Sequence, residues 1–362
     1  MVSLVIVPCS PHCGYNDEFI EAYTSLGYIG GDAFYELYES HPDYDYTLLV
    51  RNEERGKLVA EKYPKVRLVY GDLSAADVIE KEAAAADVVV HTANSADSMP
   101  SALAIGKGLA AGHTTKNPGY YIHLCGTGIL MDNARWGEPP LPENAHHDID
   151  GIWRILTLPD SAYHRDVDKA VLAANTDDRR VRTLIVSPPC IYARGRGPGN
   201  QRSMQVYRMA EQTLKTGYAP VYGTGKTEWD CVHVHDLSHF FVLAVEAALD
   251  PAKRNDPEVF GPRAYYFCES GKLVAGELAH WIMEEINRQD LLEKPAELKT
   301  FEKKDAGMAS LACSSHGVAA RAAKYLGWEP KASSLHAEIP EVIRGEVLRL
   351  RESGEPSQLK KQ

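Results

Sequence analysis

The sequence has no surplus of basic residues. Its 362 residues include 39 Lys and Arg against 50 Asp and Glu, which gives a formal net charge of −11. Nucleic acids and anionic membranes are bound through basic faces, so this balance argues against both as the main partner. A small anionic ligand needs only a few local cations. We therefore expect the partner to be a small-molecule substrate, either neutral or anionic. We do not expect nucleic acid or a membrane as a partner.

Long apolar runs and a disulfide pattern are also lacking. No apolar stretch approaches the ~20 residues that a membrane helix needs. The apolar start, residues 2–7, has no basic leading region and is typical of a first β-strand rather than a signal peptide. The seven cysteines are scattered and odd in number, which indicates reduced thiols in a reducing compartment. These features predict a cytoplasmic protein.

Signatures of metal sites and hydrolases are missing too. Residues 9–13 hold two cysteines and a histidine, but no second pair stands nearby to complete a structural zinc site. His146 and His147 precede acidic residues in a loop, which is equally weak as a metal motif. No Gly-x-Ser-x-Gly elbow occurs, which argues against an α/β-hydrolase. We predict no bound metal.

Short apolar strands alternate with helical stretches through the first half of the chain. Runs rich in Val, Ile and Leu are typical of strands buried on both faces of a parallel sheet. The predicted strands are residues 3–7, 46–50, 66–70, 87–91 and 120–124, and the predicted helices are 28–40, 53–63, 75–85 and 101–111. This alternation predicts an α/β fold with a doubly wound, Rossmann-type parallel sheet.

The chain is long enough for two domains. We predict a Rossmann domain over residues 1–190, with a returning segment at about 226–250, and a smaller, mainly C-terminal α+β substrate domain over 191–362. The predicted later elements are a helix over 161–174 capped by Asp160 or Ser161, a strand over 181–187, a helix over 203–215, a strand over 229–234, a helix over 237–249 capped by Asp236, a strand over 264–268, helices near 273–288, 317–325 and 335–351, and a frayed tail from 352.

Gly27 and Gly30 open the first predicted helix, with Tyr28 and Ile29 between them. Glycines here let a pyrophosphate approach the backbone and let the helix pack closely on the sheet, while the helix N-terminus offers unpaired N–H groups. Two glycines spaced by three also fit a simple tight turn. The strand before them and the βαβ units after them favour nucleotide binding.

Seven motifs in the family's order resemble the extended and atypical short-chain dehydrogenases/reductases, which are NAD-dependent epimerase/dehydratase-like and include an NmrA-like branch. The resemblance covers nearly the whole chain and rests on residues 27–34, Gly71-Asp72-Leu73, His91-Thr92-Ala93, Gly126-Thr127-Gly128, 187–192, 232–237 and 326–330. It implies a nicotinamide dinucleotide cofactor and a monomer or homodimer. It also implies cofactor contacts, which fall on Asp72, Leu73, Thr92, Ala93 and Pro189.

The front of the chain departs from the family. In the family, the first strand runs directly into Gly-x-x-Gly-x-x-Gly. In this sequence, Thr24 occupies the first glycine position, and residues 8–23 lie between the strand and the glycines. This segment is either a genuine insertion, with Gly14 in a local turn, or a retained intron or gene-model error. In both cases the connection is longer than the usual βα loop.

The end of the second strand bears on the choice of dinucleotide. A carboxylate there would bind the ribose hydroxyls of NAD, and an arginine accommodates the extra phosphate of NADP. The strand ends at Arg51, and no acid precedes Glu53. We expect NADP to be preferred over NAD. The alternative is that Arg51 is a solvated residue at the start of the next helix.

The catalytic residues depart from the family as well. The resemblance implies a Tyr four residues before a Lys that holds the nicotinamide ribose, and Lys169 stands where that Lys belongs. Arg165 occupies the Tyr position, so the pair is absent. Tyr163 serves as proton donor only if the helix begins irregularly, and is otherwise a surface or packing residue. Thr127 either orients the substrate or is a loop threonine.

Two functions fit these features. One is an NADP-preferring oxidoreductase or epimerase/dehydratase-like enzyme that acts on a small polar substrate. The other is a non-catalytic, dinucleotide-binding sensor or scaffold of the NmrA-like type. Arg165 in place of the tyrosine favours the sensor. The predicted second domain favours the enzyme, because a sensor has less need of a shaped substrate cleft. Three arginines in residues 194–202 suit an anionic substrate near the cleft, or else form a solvated loop.

Overall fold

The computed structural model describes residues 2–7, 27–176, 178–304 and 310–360. Residues 8–23, interpreted above as an insertion or gene-model error, lie outside the described residues, as do Thr24 and the cysteine pair of residues 9–13. None of the described helices combines the length and the hydropathy that crossing a bilayer requires.

The described strands and helices follow the predicted alternation. The strands are β1 (Ser3–Val7), β2 (Asp45–Val50), β3 (Arg67–Tyr70), β4 (Val88–His91), β5 (Gly119–Leu124), β6 (His146–His147), β7 (Val181–Ser187), β8 (Cys190–Tyr192), β9 (Tyr218–Tyr222), β10 (Glu228–His233), β11 (Tyr265–Phe267), β12 (Gly271–Val274), β13 (Glu297–Phe301) and β14 (Gly317–Val318). The helices are α1 (Tyr28–Ser40), α2 (Glu53–Lys62), α3 (Ala76–Ala85), α4 (Met99–Gly112), α5 (Ile152–Leu156), α6 (Arg165–Ala173), α7 (Gln205–Thr216), α8 (Val234–Leu249), α9 (Ala275–Arg288) and α10 (Leu335–Ser353).

A seven-stranded parallel sheet forms the centre of the molecule, in the order β3-β2-β1-β4-β5-β7-β11. Alternate residues of each strand feed two hydrophobic clusters, with Leu4 and Ile6 in one and Val5 in the other. Helix α1 packs against α8, and α4 packs against α3 and α6. This confirms the predicted doubly wound Rossmann-type fold. The strand order reverses beside β1, so a crevice is expected at the carboxyl ends of β1 and β4.

The remaining strands form small sheets outside the main one. β10 pairs with β8 in parallel and with β12 in antiparallel orientation, and β9 pairs with β13. Helices α7, α9 and α10 pack on one another beside them. The chain returns to the Rossmann part twice after residue 190, because α8 covers α1 and β11 joins the main sheet.

Two predicted helix starts are wrong, and both errors involve capping. Helix α6 begins at Arg165, and its N-cap is His164 in the left-handed region (φ 66°), not Asp160 or Ser161. Helix α8 begins at Val234, and its N-cap is His233, whose Nδ1 accepts the N–H of His235 at 3.1 Å. In both cases a histidine takes a position for which a nearby Asp or Ser is the stronger local candidate.

The carboxylate of Asp236 is used elsewhere. It accepts the backbone N–H groups of Lys331 and Ala332 at 2.8 and 3.2 Å, and so ties α8 to the segment before α10. The helix predicted over 317–325 is also wrong, because the chain forms β14 and then a π-helical turn at Ala322–Leu326.

The tail is packed rather than frayed as far as residue 360. The N–H of Gln358 donates to the carbonyl of Leu214 at 3.0 Å, and the N–H of Lys360 donates to that of Leu291 at 2.9 Å. These backbone hydrogen bonds could not be anticipated from local composition, since they join the tail to distant elements.

Asp32, in the first turns of α1, is a buried carboxylate with several hydrogen-bond partners. Its side chain is fully buried, with Oδ1 2.6 Å from Arg196 Nη2 and from Ser238 Oγ, and Oδ2 2.6 Å from the backbone N of Arg196. Burial by itself raises the pKa of Asp32, but hydrogen bonds from Arg196 and Ser238 outweigh it and hold the pKa below its ordinary value. The carboxylate therefore joins α1, the 194–202 loop and α8.

Replacing Asp32 by Ala is expected to lower the free energy of unfolding by about 1.5–3 kcal/mol, because the backbone N–H of Arg196 and the buried Ser238 hydroxyl would lose their charged acceptor. The midpoint of urea denaturation measures this change. A matched control is Glu341→Ala, which breaks the exposed Glu341–Arg344 pair on α10 and should cost within about 0.5 kcal/mol. Equal midpoints for the two variants would show that the Asp32 network does not stabilise the fold.

Candidate functional site

The sequence-predicted cofactor residues other than Lys169, together with Thr127, lie along one edge of the main sheet. Because the strands are parallel, their carboxyl ends meet at this edge. Each predicted position follows a strand end: Gly27, Tyr28, Ile29 and Gly30 at the start of α1 beyond β1, Arg51 after β2, Asp72 and Leu73 after β3, Thr92 and Ala93 after β4, Thr127 after β5, and Pro189 after β7. We call this row of residues the strand-end edge.

The start of α1 presents backbone rather than side chains to this edge. Gly27 is the N-cap, with its carbonyl accepting the N–H of Gly31 at 2.8 Å. The side chain of Tyr28 is buried, and its hydroxyl lies 2.6 Å from the carbonyl oxygen of Ala193, to which it donates. The first N–H groups of a helix lack intrahelical partners, so this terminus can receive an anion.

The end of β3 is a tight turn held by Asp72. Its Oδ1 accepts from the N–H of Ser74 at 2.8 Å and from Ser74 Oγ at 2.6 Å. These hydrogen bonds lower the pKa of Asp72, so the exposed carboxylate stays ionised. Leu73 is half-buried beside it, and Arg51 is exposed at the end of the neighbouring strand.

The loop after β4 is fixed to the end of β5. Thr92 and Ala93 are buried, and Asn94 adopts a left-handed conformation (φ 37°). A short helical turn at Ser95–Asp97 follows, in which Ser95 Oγ donates to the carbonyl of Leu124. This hydrogen bond fixes the loop after β4 to the carboxyl end of β5.

Thr127 lies on the turn after β5 and carries an unsatisfied polar atom. Its N–H donates to the carbonyl of Pro188 at 3.0 Å, and its carbonyl accepts from Ser315 Oγ. The hydroxyl Oγ1 is buried and has no hydrogen-bond partner among the described residues. Leaving a buried hydroxyl unpaired costs about 1–3 kcal/mol. The orphaned hydroxyl is therefore suited to a group that a ligand brings.

The start of α6 is irregular, which is the condition named above for Tyr163. Since His164 is left-handed, Tyr163 is displaced from its helical position. A Cβ placed on Gly128 would lie 3.1 Å from Tyr163 Cδ1, so the tyrosine ring covers the Thr127 turn. The side chain is 43% exposed. The ring of Tyr163 therefore lies against the turn that carries Thr127, and the catalytic role of the two residues stays a prediction.

Sequence reasoning missed a histidine–aspartate pair beside this turn. His164 Nδ1 lies 2.7 Å from Asp97 Oδ1, and only 8% of the His164 side chain is exposed. A Cβ on Gly126 or Gly128 would lie 3.9 or 3.4 Å from His164 Nε2. The two residues are 67 positions apart, and the adjacent Tyr163 was the sole local signal.

Lys169 is not brought to the Thr127 turn in this structure. Its Nζ lies 2.8 Å from Asp160 Oδ1, and its side chain is 49% exposed. Arg165, in the position of the family's tyrosine, is buried and donates from Nη2 to the carbonyl of Leu156. The assignment of Lys169 to the nicotinamide ribose stays a prediction.

A buried polar cluster lies next to the edge, between β5, β7, β11 and α6. Tyr265 donates its hydroxyl to Asp168 Oδ2 at 2.8 Å and accepts from Ser187 Oγ at 2.8 Å. The Cys125 thiol lies 3.7 Å from the same tyrosine hydroxyl. Complete burial raises the pKa of Asp168 to about 6, and the Tyr265 hydrogen bond only partly opposes this shift.

The arginines of the 194–202 loop mostly have protein partners. Arg196 pairs with Asp32 and Glu36, and Arg202 pairs with Glu211 and Glu346. Arg194 is exposed and donates from Nε to Gln201 Oε1 at 2.9 Å. Two of the three guanidinium groups therefore have carboxylate partners, and the third, that of Arg194, has a neutral acceptor within the loop. Arg194 is exposed, whereas Arg196 and Arg202 are half-buried.

The fold defines a class of protein, the α/β proteins built on a doubly wound, Rossmann-type parallel sheet. Solved structures of that fold include DesIV, a dTDP-glucose 4,6-dehydratase from Streptomyces venezuelae with NAD and TYD bound. Its TM-score is 0.64 at 14% identity, over 96% of this chain and 98% of that one. The UDP-glucose 4-epimerase of Thermotoga maritima, solved with UDP-glucose, gives 0.60 at 14% identity over 97% and 99%. This fold is that of the NAD-dependent epimerases and dehydratases.

A curated relative narrows the class. Oxidase ucsJ from Acremonium sp is 32% identical over 348 residues, which are 91% of this chain and 98% of that protein. No protein-family model matches the sequence. The chain belongs to the family of oxidase ucsJ.

The raised pKa of Asp168 makes stability depend on pH. The native carboxyl binds its proton more tightly than the unfolded one, so the stabilisation is full below the unfolded value of 3.8 and is lost as pH rises through about 6. Asn cannot ionise. Between pH 4 and pH 8, Asp168→Asn should therefore gain stability relative to wild type, by on the order of 2–3 kcal/mol.

Urea denaturation of both proteins at the two pH values measures this gain. Asp166→Asn, on the exposed side of α6, is the matched control and should keep a constant difference from wild type. Parallel pH dependence for Asp168→Asn and wild type would contradict the buried, proton-binding carboxyl.

Proposed function

We propose that this protein is an NAD(P)-dependent oxidoreductase or epimerase/dehydratase-like enzyme acting on a small polar substrate. The observation that carries the proposal is the orphaned Thr127 hydroxyl, buried on the same edge as the α1 N-terminus. An enzyme has use for an unpaired hydroxyl that a substrate satisfies, whereas a structural turn does not. The oxidase ucsJ relative and the NAD bound to DesIV support the same class.

The residues of the strand-end edge fit a dinucleotide. The start of α1 at Gly27 would receive the pyrophosphate, and Arg51 would meet the 2′-phosphate of NADP. Asp72 and Leu73 would flank the adenine, with Thr92, Ala93 and Pro189 along the remaining length. When bound, the dinucleotide supplies the hydride acceptor or donor.

Lys169 would hold the nicotinamide ribose after leaving Asp160. That pair is exposed on both sides, with 49% and 81% of the two side chains accessible. Exposed pairs contribute little to stability, so exchanging Asp160 for a ribose hydroxyl is energetically inexpensive. Thr127 would orient the substrate oxygen, and Tyr163 would place its phenol beside it.

A dinucleotide-binding sensor or scaffold is the second candidate. It is favoured by the buried Arg165 in the usual tyrosine position and by the outward-facing Lys169. The two candidates differ in turnover, since both bind the dinucleotide and the enzyme alone converts a substrate.

Dinucleotide binding is tested by thermal unfolding with NADPH and with NADH. A ligand at about 100 times its dissociation constant adds about 2.7 kcal/mol of stability, which raises the melting temperature by several degrees. We expect a larger rise with NADPH than with NADH. Arg51→Ala should reduce the NADPH rise to that of NADH.

The matched control for Arg51→Ala is Arg208→Ala, an exposed arginine on α7 that should leave both rises unchanged. Equal rises with the two ligands in wild type would remove the assignment of Arg51. No rise with either ligand would overturn the proposed function.

Thr127→Val separates a substrate-binding hydroxyl from a structural one. Valine has the same shape, so removing an unpaired buried hydroxyl should leave stability unchanged or raise it by about 1 kcal/mol. Turnover should fall about tenfold or more, because the substrate oxygen loses a hydrogen bond. NADPH oxidation across a panel of small carbonyl compounds measures the second effect.

Thr213→Val is the control for this variant. The Thr213 hydroxyl is also buried, but it donates to the carbonyl of Met209 at 2.8 Å within α7. Its removal should cost about 1 kcal/mol and leave turnover unchanged. A Thr127→Val protein that is destabilised and fully active would assign Thr127 a purely structural role.

A further inference from the structure

The His164–Asp97 pair has the geometry of a proton-exchanging dyad. With Nδ1 at 2.7 Å from Asp97 Oδ1, the neutral imidazole carries its proton on Nδ1 and donates it to the carboxylate. This fixes the tautomer and leaves the lone pair on Nε2. A carboxylate in this position orients the ring and stabilises the imidazolium that forms on proton uptake.

The dyad faces the site already described. His164 Nε2 faces the Gly126–Gly128 turn. A Cβ added to Gly128 would lie 3.4 Å from this nitrogen, so the glycines leave space beside it. Thr127, between these glycines, carries the orphaned hydroxyl. The ring of Tyr163 packs on the imidazole with centroids 3.7 Å apart. A substrate oxygen bound by Thr127 would therefore lie beside a histidine.

The backbone at His164 is held in an uncommon conformation. Its φ of 66° is in the left-handed region, which a bulky L-residue rarely adopts and which persists where the surroundings enforce it. Asp97 is fixed in turn by the N–H that it donates to the carbonyl of Asn94 at 3.0 Å. Both members of the dyad thus sit on turns that the fold determines.

We infer that His164, oriented by Asp97, exchanges the proton with the substrate oxygen in place of the family's tyrosine, an inference that rests on the proposed function. In oxidation, the substrate hydroxyl would give its proton to His164 Nε2, and the bound dinucleotide would supply the acceptor for the hydride of the same carbon. The O–H and C–H bonds break, a C=O bond forms, and the imidazolium later releases its proton to water. Reduction is the reverse.

The first test needs no substrate. Nitrogen-15 NMR of the histidine side chains reports which ring nitrogen is protonated, and the spectrum of His164→Gly assigns the His164 signals. Wild type should show the Nδ1–H form. Asp97→Ala should shift His164 toward the Nε2–H form, because the acceptor for the Nδ1 proton is gone. An Nε2–H form in wild type would overturn the inference.

The matched control is Glu246→Ala. It breaks another histidine–carboxylate pair, His41 Nε2 with Glu246 Oε1 at 2.9 Å, at the far end of α1 from the strand-end edge. The His164 signals should not change in this variant. A change there equal to that in Asp97→Ala would show that the NMR signals report general loosening rather than the dyad.

The second test is chemical rescue. Glycine tolerates the left-handed backbone at position 164, so His164→Gly should fold and keep the NADPH-induced rise in melting temperature. Its turnover should fall by about 10²–10⁴-fold, and added imidazole should restore a measurable part of it. Unchanged turnover in His164→Gly would overturn the catalytic role of the dyad. If NADPH does not raise the melting temperature of the wild-type protein, the proposed function is overturned instead.

Discussion

The buried carboxylate of Asp32 is the interaction on which the arrangement of the site depends. It lies in the first helix after β1, and its oxygens bind the side chain and backbone of Arg196 and the hydroxyl of Ser238. A buried charge is tolerated only when it is paired and fully hydrogen-bonded. Asp32 therefore fixes the 194–202 loop and α8 against the start of α1.

Close backbone contact accompanies this ion pair. A Cβ on Gly197 would lie 2.5 Å from the carbonyl carbon of Gly31, so the loop and α1 meet without side chains between them. The hydroxyl of Tyr28 also donates a hydrogen bond to the carbonyl of Ala193. The start of α1 is thus positioned by the loop that follows β8 as well as by β1.

These contacts pair two arginines of the 194–202 loop with carboxylates. Arg196 and Arg202 are neutralised by carboxylates, and the chain as a whole carries a net charge of −11. A phosphate-bearing ligand then depends on backbone N–H groups and the helix dipole at α1, together with a local cation such as Arg51. Recognition of this kind requires a fixed helix terminus, which is what the Asp32 network provides.

The fold was readable from the sequence because it is encoded locally. Buried parallel strands give short apolar runs, and the predicted bounds of the first five strands agree with the structure to within one residue. The errors lie where distant partners decide. By local rules Asp236 is a good helix N-cap, but its carboxylate accepts hydrogen bonds from the N–H groups of Lys331 and Ala332 instead.

The same distinction applies to the site. Positions that follow strand ends, such as Gly27 and Asp72, could be placed from motif and topology. The contact of His164 with Asp97 could not, since it joins two turns 67 residues apart through a left-handed residue. A motif search based on helical spacing looks four residues before Lys169 and finds Arg165, whose side chain is buried against the carbonyl of Leu156.

The electrostatics of α6 explain why a histidine at its start would need Asp97. The N-terminus of a helix carries a partial positive charge, which disfavours a cation at the N-cap. An imidazolium formed at His164 would lie at that unfavourable end, with Arg165 as its neighbour. The Asp97 carboxylate, 2.7 Å away, supplies the compensating charge at short range. A hydroxyl of tyrosine, which gives up a proton and becomes negative, would instead be helped by the helix terminus. Moving proton exchange from a tyrosine within the helix to a histidine at its cap therefore reverses the charge that must be stabilised, and an aspartate on the neighbouring turn is the group that this reversal demands.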